Sequence, residues 1–158
     1  MFERFAREAR ETVRRAAEIA ESEQATLVQS EHLLLALVDP PHDKVGRSLA
    51  GAGITADRIR GARDREFRSA LAAVGVDTER QAPPPSSRLR RGRTTRFAPS
   101  AKLALERTLE VCADRGDRRI SNRHLLVAIV GAEVGRTPAI LKELGTSAEE
   151  VGRLAGSS

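Results

Sequence analysis

Apolar residues fall at three- and four-residue intervals over most of the chain. Phe5, Ala9, Val13, Ala16, Ala17 and Ala20 form one such stripe on an otherwise charged stretch, which predicts a first amphipathic helix from about Glu3 to Glu23. Ser30 is then expected to N-cap a second helix, as Asn122 is at the equivalent later place, and precedes a run, Leu33 to Val38, that is apolar almost all round. Such a helix has no face to give to water, so it belongs at the centre of the fold. A short third helix covers Val45 to Ala50 and stops at Gly53, a residue suited to a left-handed C′ position. Thr55 caps a fourth helix from Ala56 to Ala73. No β-strand alternation rises above noise.

The same order then recurs. Pro99 opens a helix to Asp114 along Ala101, Leu105, Thr108, Leu109 and Cys112, proline being tolerated in a first turn. Asn122 precedes the apolar run Leu125 to Val130. Thr137 to Leu144 ends at Gly145, and Ser147 or Thr146 caps a final, shorter helix that frays into Gly156-Ser157-Ser158. The recurrence is a duplication in register. An offset of 92 residues takes His32-Leu33-Leu34 onto His124-Leu125-Leu126, Phe5-Ala6 onto Phe97-Ala98, Arg15 onto Arg107, Leu49 onto Leu141 and Gly53 onto Gly145, without a gap. The fold expected is all-α: a tandem, pseudo-twofold pair of four-helix units forming one domain over residues 1–158. Repeat one spans 1–74, a Pro/Arg-rich linker 75–96, and repeat two 97–158. Three consecutive prolines, Pro83 to Pro85, keep that linker from being helical.

Composition sharpens this picture at two points. The formal charge is +5, and five arginines (Arg88, Arg90, Arg91, Arg93 and Arg96) account for all of it. The basic character is therefore local, unlike the broad basic face of a dedicated nucleic-acid-binding domain. Binding of nucleic acid or an acidic partner through this run is the alternative function. Cys112 is the one cysteine, which excludes an internal disulfide and fits a reducing cytoplasm. The charged N-terminus and the lack of a long apolar run predict neither a secretory leader nor a membrane span.

Catalytic and metal chemistry find little footing. No Gly-x-x-x-x-Gly-Lys-Ser/Thr run occurs, so no ATPase activity is expected, and no nucleophile is matched with a base. His32 and His124 stand 92 residues apart and His42 lies among prolines, without the clustered ligands of a zinc site. They are expected to be structural, and no cofactor or metal is expected. Cys112 occupies the place of Ala20 in the repeat and reads as a small buried residue.

Phe2-Glu3-Arg4-Phe5, Ser30-Glu31-His32-Leu33-Leu34 and Val45-Gly46-Arg47-Ser48-Leu49 with Gly53-Ile54 resemble the opening, the Gly-Thr-Glu-His-Ile/Leu-Leu signature and the following glycine-rich stretch of Clp N-terminal domains. The resemblance covers nearly the whole chain, tandem repeat included. It implies a non-catalytic protein- or peptide-binding domain that docks adaptor and substrate proteins for a Clp ATPase. A free-standing domain of this kind would modulate Clp-dependent proteolysis or sequester its ligands. Partners implied are Clp adaptors or substrates, Clp ATPase subunits and cyclic-peptide antibiotics. The resemblance assigns Glu31 to the guanidinium of phosphoarginine, a planar donor fork suited to a carboxylate. Glu31 also suits the first turn of a helix through the dipole alone. Phe2, Arg10 and Lys102 are placed by the resemblance at the rim of the peptide- and antibiotic-binding face, while Phe2 equally suits a hydrophobic contact at a helix entrance. The pattern departs from the family at Arg123, which stands where repeat one has Glu31, and at Ala6 and Ala98, where a hydroxyl residue is usual. Arg123 speaks against a second phosphoarginine site, and the missing hydroxyls at Ala6 and Ala98 speak against phosphoarginine binding as such.

Overall fold

The two runs that are apolar all round become the centre of the molecule. In the computed structural model, which describes residues 2–76 and 96–156, they are α2 (Ser30–Val38) and α6 (Asn122–Val130). Every residue of α2 is buried, and in α6 only Arg123 and Val127 are not. Around them lie α1 (Arg7–Ser22), α3 (Lys44–Gly51) and α4 (Ala56–Ala73) of the first half. The second half supplies α5 (Pro99–Asp114), α7 (Thr137–Glu143) and α8 (Ala148–Gly156). Helix α1 packs on α2 as α5 packs on α6, and α2 meets α6 across the seam. The fourth helices cross over: α4 lies on α7, while α8 lies on α3 and α6. The halves thus share one core of Leu, Ile, Val and Ala around Phe5.

The seam displays the twofold relation directly. Phe5 pairs with Ile120 and Val28 with Phe97 in two isolated parallel bridges, and the offset of 92 turns one pair into the other. Ala6 N–H donates to the Ile120 carbonyl at 2.7 Å and Ile120 N–H to the Arg4 carbonyl at 2.9 Å. The mates repeat this, Ala98 N–H to Val28 at 2.9 Å and Val28 N–H to Arg96 at 2.8 Å. Each half gives and receives the same contact, as in an isologous dimer interface. The guanidinium of Arg15 donates to the Asp39 carbonyl, and its mate Arg107 to the Gly131 carbonyl, tying each first helix to the end of its central one.

These bridges correct two expectations. The first helix does not run from Glu3. A 3-10 turn, Phe2–Arg4, comes first, and α1 begins at Arg7, because the backbone between them is spent on pairing with Ile120. Ala6 and Ala98 are extended there, with ψ of 161° at both. Nor are Ser30 and Asn122 the N-caps. Gln29 and Ser121 take that place, and the first-turn histidines close the caps: Gln29 N–H donates to His32 Nδ1 at 2.8 Å and Ser121 N–H to His124 Nδ1 at 2.9 Å. A histidine three residues after the cap does here what Glu or Gln does in an ordinary capping box. Elsewhere the boundaries follow the pattern. Thr55 accepts from Arg58 N–H and Ser147 from Glu150 N–H, and Gly53 and Gly145 end their helices at φ of 81° and 73°. Of the expected linker, residues 77–95 lie outside the described residues, and with them most of the arginine run.

Candidate functional site

The N-terminus of α2 opens onto a cleft of about 540 Å³ to which both halves contribute. Glu23, Gln29, Glu31 and His32 come from repeat one, together with Arg63 from α4; Gly135 and Arg136 come from the loop before α7. Glu31 is only 4% exposed, yet its Oε2 has no hydrogen-bond partner. A buried acceptor left in that state costs about 1–3 kcal/mol.

The side chains around Glu31 are fixed by one another. Arg63 grips Glu23 with both nitrogens, Nη1 to Oε2 at 2.7 Å and Nη2 to Oε1 at 3.3 Å. Arg60 reaches the same carboxylate with Nε at 3.3 Å and Asp39 with Nη2 at 3.0 Å. His32 accepts at Nδ1, so its proton sits on Nε2 and points at Glu23 Oε2, 3.3 Å away. Burial opposes charge on Glu23, but the Arg63 and Arg60 guanidiniums outweigh it and hold the carboxyl below its ordinary range. Burial pushes His32 down as well, against the pull of Glu31 and Glu23. Arg136 lies over the Phe67 ring at 5.5 Å and has no carboxylate against it among the described residues.

A histidine whose pKa falls on folding binds fewer protons in the native chain than in the unfolded one. Its contribution is therefore complete above about pH 6.5 and is lost as pH falls through that value towards the folded pKa. Glu23, also lowered, keeps its contribution until pH drops below about 4.5. Urea midpoints are expected to fall from pH 7 to pH 5.5 and again below 4.5. His32→Gln should flatten the first step relative to the wild type and leave the second. Equal slopes in the two proteins between pH 7 and 5.5 would contradict the assignment.

The pseudo-equivalent place at the N-terminus of α6 is built differently. Asp43 stands where repeat two has Gly135, and its Oδ2 accepts from Asn122 Nδ2 at 2.8 Å. Thr12 Oγ1 lies 2.9 Å from Asn122 Oδ1, completing a buried knot. On the open side Gly135 sits at φ +95°, where a Cβ would come within 2.8 Å of the Ser100 Cβ and 3.2 Å of the Ser30 Oγ. Ser30 Oγ pairs with Thr137 Oγ1 at 2.9 Å beneath it. One side carries a carboxylate; on the other a glycine lets the loop backbone pack closely onto Ser30 and Ser100.

Of the ligand-binding residues expected from the resemblance, Phe2, Arg10, Glu31 and Lys102, the cleft gathers Glu31 alone. Phe2 is 40% exposed and stacks on Phe5 with ring centroids 5.2 Å apart, and Arg10 and Lys102 are exposed on α1 and α5; none of the three lines the cleft. His124 Nε2 donates to Asp117 Oδ2 at 2.8 Å, so both first-turn histidines serve the helix packing. The His124 hydrogen bond, with help from Arg123 and Arg115, holds the Asp117 carboxyl low. Cys112 is buried, with Sγ 3.2 Å from the Asp117 carbonyl. Arg63, Arg136, Glu23 and Gly135 escaped the sequence reading because they come from non-equivalent places in the two halves. Among the described residues no helix is long and apolar enough to cross a membrane, and no group of three His, Cys, Asp or Glu is placed to hold a metal.

Comparison with known proteins gives a consistent picture. The Clp repeat (R) N-terminal domain profile matches residues 4–144. Among solved structures, the N-terminal domain of the caseinolytic protease associated chaperone ClpD from Arabidopsis thaliana superposes with a TM-score of 0.72 at 25% identity, over 99% of this chain and 95% of that one. The Hsp104 N-terminal domain from Candida albicans gives 0.65 at 20% identity, over 97% and 89%. A chain from a malarial protein secretion system gives 0.66 at 16%, over 98% and 93%. The last two likenesses speak for the fold alone.

Proposed function

The chain belongs to the Clp repeat (R) N-terminal domain family, and from that premise we propose that it is a non-catalytic docking domain which takes an arginine side chain of a polypeptide, phosphorylated or not, in the cleft at Glu31. The observation that carries the reading is the buried Glu31 carboxylate with an unanswered oxygen. A guanidinium offers the planar pair of N–H donors that such a carboxylate lacks. Arg136 supplies positive charge beside it for a phosphoryl group on that guanidinium. Docked chain ends or loops would be handed to, or withheld from, a Clp ATPase, and the domain would so modulate Clp-dependent proteolysis.

Calorimetry with phosphoarginine and with free arginine tests this. One site per chain is expected, lost in Glu31→Gln. Glu31→Gln should not lower the Tm: it forfeits a helix-dipole contribution of about 0.3–1 kcal/mol but relieves an unpartnered buried charge of larger cost. No heat from either ligand at millimolar concentration would remove the assignment, and equal binding by wild type and variant would move it away from Glu31.

A further inference from the structure

The turns that lead into α2 and α6 are equivalent in backbone and opposite in charge. Residues 23–31 carry Glu23 and Glu31 and no base, a formal −2. The mates, residues 115–123, carry Arg115, Arg118, Arg119 and Arg123 against Asp117 alone, a formal +3. Asp117 is already engaged by His124 at 2.8 Å and Arg123 at 3.4 Å. Arg115, Arg118 and Arg119 are exposed and form no ion pair among the described residues.

Pairing across the seam adds to this face. Phe5 and Ile120 are buried and pair across the seam, and the residues just before them, Arg4 and Arg119, are both exposed, with Ile120 N–H donating to the Arg4 carbonyl at 2.9 Å. Arg4 is exposed and likewise without an ion-pair partner among the described residues. Phe2, at 40% exposure, gives the patch an apolar footing. On the first side, the residues in the places of Arg119 and Arg118 are Leu27 and Thr26.

We propose that the face built from the 115–123 turn and Arg4 is a second docking surface, for an acidic peptide segment rich in Glu or Asp. Like charges held this close on a folded surface repel one another, and a row of carboxylates relieves that repulsion. A peptide fits better than a nucleic acid. Glu3, Asp114 and Asp117 are interspersed with the arginines, and they oppose a continuous phosphate backbone while leaving gaps for spaced carboxylates. The domain thereby offers two unlike faces: a cleft for a cationic side chain and an open patch for an anionic segment. The patch does not depend on the role given to Glu31.

Fluorescence anisotropy of the full chain with a short labelled polyglutamate peptide, at low salt, tests this. Binding is expected and should weaken steeply with added salt. The double variant Arg118→Glu/Arg119→Glu, and separately Arg4→Glu, should each lose about tenfold or more in affinity, with unchanged Tm because all three side chains are exposed. Glu31→Gln should bind the peptide as the wild type does. Three results would overturn the proposal. These are no binding up to millimolar protein, undiminished binding by both arginine variants, and tighter binding of an oligothymidylate of matched length and charge.

Discussion

Leu33→Ala and its mate Leu125→Ala are each expected to cost about 2–5 kcal/mol of folding stability. Both side chains are fully buried in the central helices, where α2 and α6 face each other and the first helix of each half. Removing three methyl or methylene groups loses their transfer energy and leaves a cavity that two packed helices cannot close. At this chain length that corresponds to a fall in Tm of order 10 °C. Both variants should lose an amount in this range, since each leucine lies in the matching packing of first helix on central helix, α1 on α2 and α5 on α6. Leu103→Ala, on the exposed face of α5, should be close to neutral. Thermal or urea melts of the three variants check this. A large loss at Leu33 with none at Leu125 would mean that the halves are not energetic equals.

Asp43→Ala is the second variant with a large expected effect, of roughly 2–4 kcal/mol. It removes a cap, since Asp43 Oδ1 accepts from Gly46 N–H at 2.9 Å. It also strips the acceptor of the Asn122 amide, the only one among the described residues, in a residue 1% exposed. Asp43→Asn keeps one of the two acceptor oxygens in use and turns an amide N–H2 on the other donor, so it should recover only part of the loss; Asp43→Ala/Asn122→Ala removes both partners and should cost less than the sum of the two single changes. Full additivity in that cycle would show that the knot is not a coupled unit.

Helix order, the central position of α2 and α6, the glycine stops and the internal duplication were all written in periodicity and in the 92-residue register. Those features depend on local propensity and on which faces are apolar. The break after Arg4 was not legible, because the stripe through Phe5 continues smoothly into α1 and only the partner strand at Ile120 decides that its backbone pairs outward. Histidine capping was hidden for a similar reason: an imidazole that accepts a backbone N–H depends on a tautomer that Glu23 or Asp117 must fix from another turn. Glu31 was visible as a motif residue, but its isolation was not. That isolation comes from Arg63 being committed to Glu23 and from Gly135 passing overhead, two facts that belong to different halves of the chain.

The same duplication explains how one fold carries two unlike surfaces. Backbone pairing at the seam is conserved between the halves position by position, while side chains facing out are free to diverge. Side chains at the two helix N-termini diverge too: Gly135 stands opposite Asp43, and the buried Glu31 opposite the half-exposed Arg123.

Amide chemical-shift mapping with phosphoarginine tests the central claim most directly, because it reads both pseudo-equivalent positions in a single titration. Shifts confined to residues 23–32, Arg63 and the Gly135–Arg136 loop, with those of residues 115–124 unmoved, are the predicted result. Perturbation of both sets alike, or of neither at millimolar ligand, would contradict an account in which Glu31 waits alone for a guanidinium.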